Sequence, residues 1–223
     1  MKAFKNLYNI AAHRQGGPEF LEDELRVLSN RIQTQILSED RYLAGMTRAV
    51  FLGGANEDTL SAAWDAFEEH FHQFDVEFCA KLTEAELQQI QLDPRLPGPA
   101  SKLDSIPKNA QFIQRIAAEH GSFGQWLANW PGDNLVGLFD VLKAEGHYLG
   151  GHTAPRFLEL VGKDTFVLNE FVLEALRDNW IIDKMPTTQH DKRACQDAFN
   201  RWFNESQGRS YREISSVLAF SVI

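Results

Sequence analysis

Apolar side chains recur every three or four residues along most of this 223-residue chain. That period leaves the α-helix as almost the only regular structure the chain can build. Phe20, Leu21, Leu25, Leu28, Ile32 and Ile36 make one stripe; Leu60, Trp64, Phe67, Phe71 and Phe74 make another, with Thr59 ahead of it. The punctuation agrees with the period. Thr83 with Glu86, Ser122 with Gln125 and Ser210 with Glu213 have the spacing of capping boxes. Pro107 suits the first turn of a helix carrying Phe112, Ile113 and Ile116, which Gly121 stops. Leu135, Val136, Phe139 and Leu142 continue the pattern up to Gly146. Residues 153–161 follow, with Pro155 in their first turn and Gly162 after their end. Further helices are expected over 170–179, 189–203 and 211–220. Only "TFVL", residues 165–168, reads as strand, and it is too short to build a sheet. The expected fold class is all-α.

One stretch is irregular. "QLDPRLPGPASKLDSIP", residues 91–107, holds four of the eight prolines. It reads as a loop between an N-terminal helical lobe, about 1–91, and a second lobe, about 107–223, the two sharing one unit. Sixteen Phe and five Trp suffice for a sizeable core. No apolar run approaches the ~18 residues of a membrane span. Residues 1–17 lack the long apolar stretch and small-residue cleavage site of a signal peptide, so a cytoplasmic protein is expected. Cys79 and Cys195 are the only cysteines, which gives neither a disulfide framework nor a close-spaced metal pair. His190 lies five residues before Cys195, but two ligands do not make a tetrahedral site. The net charge of −9 argues against indiscriminate nucleic-acid binding. Residues 1–100 carry most of that excess, and 141–223 are near balance, so a neutral or basic face remains possible there.

"LGGHTAPRFLELVG", residues 149–162, is the stretch with most chemical content. Helix 135–145, the turn "GHYLGG" and helix 153–161 together make a helix-hairpin-helix. Glycine permits positive φ and close approach of a ligand. The amides of Gly151, His152 and Thr153 are candidate free donors at a helix N-terminus, where the dipole also favours an anion such as a DNA phosphate. Arg156 and Lys163 can add charge. The other reading is a tight interhelical turn with Thr153 as the helix cap, and these residues alone do not choose between the two.

Six stretches, in collinear order, choose more firmly: "DRYLAGMTRAVF" (40–51), "WDAFEEHFHQFD" (64–75), "KLDSIPKNAQFI" (102–113), "EHGSFGQWLANWP" (119–131), "LGGHTAPRFLELVGKDTFVL" (149–168) and "AFNRWFNESQGRSYREISSVLAFSV" (198–222). Through them the chain resembles the DNA-3-methyladenine glycosylase I family, within the helix-hairpin-helix DNA glycosylases. The resemblance implies a two-lobed helical enzyme of base-excision repair. Such an enzyme binds duplex DNA, flips an alkylated base out of the stack and hydrolyses its N-glycosidic bond. It works without cofactor or metal, as a monomer. On the resemblance, Gly150, Gly151, His152 and Thr153 hold a phosphate, with Arg156 and Lys102 supporting the backbone. Phe51, Leu52, Gly53, Gly54 and Glu57 border the base pocket, and Asn169 and Glu170 lie at its floor as the catalytic candidates. In the wider superfamily a catalytic aspartate stands where this chain has Asn169, and the 3-methyladenine branch lacks it. Asn169 is equally an N-cap for the helix that follows.

The chain departs from the family in three places. After "VF" the family carries a Trp that stacks on the extruded base. Here "LGGANEDTL" has no aromatic, which leaves Phe51, Trp64 or Tyr42 as candidate replacements, Trp64 also lying on a helical stripe. The family's basic run before Lys102 is reduced to Arg95, although Lys102 and Asn109 are kept. The type member ties its termini through zinc with two Cys and two His; here His13 falls near the N-terminal His of that set, but its partners are missing and no Cys lies near either end. These departures keep open a catalytically inactive descendant that binds DNA or a protein partner, or a helical module that has left DNA altogether.

Overall fold

The computed structural model describes residues 1–30, 32 and 35–223, and all of their regular structure is helical. The helices divide into two compact units that are not consecutive in sequence. The first comprises Met1–Gln33, Pro131–Leu138 and Gly162–Ile223; the second comprises Thr34–Trp130 and Phe139–Val161. The expected lobe boundary does not coincide with this division, because both ends of segment 91–107 fall within the second unit. That segment also holds a short helix, Ala100–Leu103.

In the first unit, helix Tyr211–Phe220 packs against Phe4–Arg14, Pro18–Ser29, Glu170–Asp178 and Gln189–Glu205. Its apolar face, Ile214, Val217 and Leu218, is fully buried. The Ser210–Glu213 capping box forms in both directions. The half-buried carboxylate of Asp164 adds a second cap, accepting the N–H groups of Tyr211 and Arg212 at 3.0 and 3.1 Å. Burial raises the pKa of Asp164, and those two backbone bonds oppose the rise. Residues 165–168 form no strand; Val167 N–H donates to Ser215 Oγ at 3.3 Å, and Phe166 stacks on Phe199 with centroids 4.5 Å apart. The stripe begun at Phe20 ends early, since its helix stops at Ser29 and Phe20 itself is exposed.

The second unit is built on two aromatic clusters. Tyr42, Phe112, Phe123, Trp126 and Phe157 join helices Glu39–Phe51, Ser105–His120, Phe123–Asn129 and Thr153–Leu160. Phe51, Trp64, Phe67, Phe71 and Phe74 form the other. The second stripe is helical only over Glu57–His70, and Asn56 caps it, accepting the Thr59 N–H. Beyond His70 the chain makes a left-handed turn, with φ of 48°, 58° and 63° at His72, Gln73 and Phe74. Such φ values are costly for non-glycine residues. The surroundings impose them here: Phe74 is fully buried, and Arg41 donates to the Gln73 carbonyl at 2.5 Å. Of the capping boxes expected in this unit, Thr83–Glu86 closes fully, whereas Ser122 accepts from the Gln125 N–H without the return bond.

Candidate nucleic-acid interface

The hairpin turn lies between helix Leu135–Glu145 and helix Thr153–Leu160. Gly146 ends the first helix, donating its N–H to the Leu142 carbonyl at 3.0 Å. Leu149, fully buried, anchors the middle of the turn. Asn109, 1 % exposed, clamps its start: Nδ2 donates to the His147 carbonyl at 3.1 Å, and Oδ1 accepts the His147 N–H at 2.7 Å. Both backbone groups of His147 are thereby satisfied away from water. Burial, then the charge of Lys108, lowers the pKa of the His147 imidazole.

The two glycines do different jobs. Gly151 has φ of +60°, is exposed, and has nothing within 4 Å of where a Cβ would stand. Gly150 does not take a positive φ. Its constraint is space, because a Cβ there would meet Cγ of Lys143 at 3.3 Å. Among the described residues, the N–H groups of Gly151 and His152 donate to no protein acceptor. The expectation for Thr153 is corrected: its N–H donates to the Gly150 carbonyl at 3.2 Å, closing the turn, and Thr153 is the first helical residue rather than the cap. His152 is the N-cap position, its side chain makes no capping bond, and both Gly151 and His152 are exposed.

Helix Thr153–Leu160 is placed against helix Glu39–Phe51 through Gly45, where a Cβ would lie 2.7 Å from Val161 Cγ1. That close approach brings Arg156 to the end of Glu39–Phe51, where Nη1 donates to the Leu52 carbonyl at 3.0 Å. A cation at a helix C-terminus also meets the negative end of the dipole. Lys102 reaches the same turn from helix Ala100–Leu103: its Nζ is 3.1 Å from the Cβ position of Gly54 and 5.7 Å from the Phe51 ring centroid. The structure thus gathers Leu52, Gly53, Gly54, Lys102 and Arg156 at one place. Gly53 and Gly54 are exposed, but their N–H groups are spent on the Val50 and Phe51 carbonyls.

Two of the expected pocket residues are otherwise engaged. Phe51 is 1 % exposed, packed edge-on to Phe67 with centroids 4.8 Å apart, so it presents no ring face to a base. Nor do the other candidate replacements. Tyr42 is buried, and Trp64 is covered by Phe67, by Phe74 and by the Arg48 guanidinium 5.0 Å from its centroid. Glu57 is exposed but ion-paired with that same Arg48. Asn169 and Glu170 belong to the first unit. Asn169 Oδ1 caps helix Glu170–Asp178, accepting the Val172 N–H at 2.9 Å, and Glu170 opens that helix with an exposed side chain. Lys163, also in the first unit, is half-buried, and desolvation lowers its pKa. Sequence reasoning missed Lys143 and Lys108. Their signal was position: one lies a helical turn before Gly146, the other beside the clamping Asn109.

Among the described residues no cluster of three or more His, Cys, Asp or Glu is arranged to hold a metal ion, and no helix is long and apolar enough to cross a membrane. A family profile described as methyladenine glycosylase matches residues 46–136. That span contains the turn at 51–54, Lys102 and Asn109, and ends before the second hairpin helix. No curated protein matches the chain. Solved structures do. A point mutant of 3-methyladenine DNA glycosylase I from Staphylococcus aureus is 24 % identical with a TM-score of 0.52, covering 59 % of this chain and 80 % of its own. A second point mutant of 3-methyladenine DNA glycosylase I, in complex with 3-methyladenine, is 23 % identical with a TM-score of 0.53, covering 62 % and 84 %. A further Staphylococcus aureus structure of the enzyme, concerned with 3-methyladenine recognition, is 22 % identical with a TM-score of 0.53, covering 64 % and 87 %.

Proposed function

We propose, from the premise that the chain belongs across residues 46–136 to the methyladenine glycosylase family, that it is a DNA-repair glycosylase of the 3-methyladenine type. Its substrate is duplex DNA carrying an alkylated base. The observation that carries the reading is the hairpin turn, whose free Gly151 and His152 amides stand open beside a left-handed glycine. Anion binding at such a place needs no side-chain base, only donors and a favourable dipole.

The chemistry asks little of the protein in acid–base terms. A 3-methylated adenine nucleotide already carries a positive charge on the base. When the glycosidic bond breaks, the bonding electrons go to that base, which leaves neutral. Water then adds to C1′ and gives up a proton to solvent. No strong general acid is required. What the protein must supply is extrusion of the base and stabilisation of positive charge developing on the sugar. Gly151 and His152 hold the backbone by the turn, Gly150 and Thr153 close that turn, and Lys102 and Arg156 support it. Asn169 serves first as the cap that starts the Glu170 helix.

The test is release of 3-methyladenine from methylated duplex DNA, run alongside binding to the same duplex at low salt. Release by the wild-type chain is the expected result. Binding without release by the wild type would point to an inactive descendant. Absence of both would remove DNA from the account.

A further inference from the structure

Apart from Arg156, which donates to the Leu52 carbonyl, the lysines and arginines of the second unit fall into two groups. Arg41, Arg48, Lys81, Arg95 and Arg115 are each ion-paired with a carboxylate. Lys102, Lys108 and Lys143 have no carboxylate partner among the described residues, and all three point at the glycine turns. Lys102 lies against Gly53 and Gly54, Lys143 against Gly150, and Lys108 Nζ is 3.5 Å from His147 Nε2. The carboxylate nearest the turn in sequence, Glu145, is held by Arg115 at 2.5 Å. In a chain of net charge −9, Lys102, Lys108 and Lys143, with Arg156 at the Leu52 carbonyl, are the Lys and Arg side chains of this unit without a carboxylate in ion-pair reach among the described residues.

We propose that Lys108 and Lys143 are phosphate-contacting residues. They extend the DNA backbone track beyond the hairpin amides, so that phosphates neighbouring the one held by Gly151 and His152 are neutralised as well. The inference rests on the DNA-binding reading above and deepens it. Lys143 is carried on the helix leading into the turn, and its aliphatic stem lies against Gly150. Lys108 comes from helix Ser105–His120, one residue before the Asn109 that clamps His147. Two separate elements therefore bring charge to the same backbone bend. Lysine suits this role as a compact point charge with no geometric demand on the phosphate.

The experiment is the salt dependence of duplex binding, measured by fluorescence anisotropy for the full chain. Each phosphate contact contributes ~0.9 to the slope of log K against log salt. Lys108→Gln and Lys143→Gln should each lower that slope by about 1, and the double variant by about 2. Lys81→Gln, which removes a cation paired with Glu77, should leave it unchanged. Lys143→Met keeps the aliphatic stem against Gly150 and should behave as Lys143→Gln does, while Lys143→Arg should restore the slope. If the wild type binds with a clear salt slope and the Lys108 and Lys143 variants keep it, the proposed track is wrong while the hairpin reading stands. If the wild type does not bind duplex DNA at low salt, the DNA-binding reading itself falls, and this inference with it.

Discussion

At Gly151 the backbone is left-handed and the space beyond it is empty. Asn and Asp both tolerate that conformation better than other residues, and they differ mainly in charge. Gly151→Asn should therefore keep the fold and most duplex binding. Gly151→Asp should keep the fold but lose affinity on the order of a hundredfold, given the several kcal/mol that opposed like charges cost. Anisotropy on duplex DNA with a melting curve for each variant checks this. Equal losses for Asn and Asp would mean the turn's shape matters and no phosphate sits there. The left-handed backbone at this residue was legible in the sequence, because a turn into a helix that needs positive φ calls for glycine. Phe51 was not. An aromatic at the end of a helical stripe can face either way, and only the packing of Phe67 against it shows that it faces in.

The hairpin as an element depends on Asn109 more than on its own glycines. Asn109→Ala would strand the His147 N–H and carbonyl in a half-buried position, and losing both partners should cost about 2–3 kcal/mol. Denaturant unfolding gives the value, and a change under ~0.5 kcal/mol, the low end for a single hydrogen bond, would show that the clamp is not needed. The same element has a pH signature. Burial and Lys108 lower the folded pKa of His147, against a small opposing effect of Asp104. The unfolded chain therefore takes up the proton first. Stability is complete above the unfolded value of about 6.5 and falls as pH drops below it. His147→Gln should flatten the stability profile between about pH 7 and pH 5, and an unaltered profile would assign the effect elsewhere. Helix Glu170–Asp178 offers a parallel case. Asn169→Ala should cost ~1 kcal/mol by loss of its cap, and Asn169→Asp should recover it. Helices of this kind were readable from caps and period alone, and the Ser210–Glu213 box closes as its spacing predicts. Thr153 was misread because sequence does not show that its N–H closes the turn onto Gly150.

Across the whole molecule, helical content was legible and the division into units was not. Period and caps act over a few residues. The first unit is instead assembled from distant ones, with Trp202 Nε1 donating to the Lys2 carbonyl and the Phe4 N–H to Glu205. No local pattern announces such pairs. The two cysteines fall one in each unit, Cys195 in the first and Cys79 in the second, and each is fully buried. Burial pushes each thiol up to about 12, so neither is a useful nucleophile in the native state. Alkylation at mild alkaline pH should then proceed only through opening of the unit that holds the thiol. A ligand that binds only the native form slows such opening by mass action. All of the proposed phosphate contacts lie in the second unit, so duplex DNA should protect Cys79 at least as strongly as Cys195. Mass spectrometry of the two labelled peptides, with and without duplex, measures both rates in one sample. Protection of Cys195 alone would place the DNA-binding face on the first unit and overturn the assignment of the hairpin.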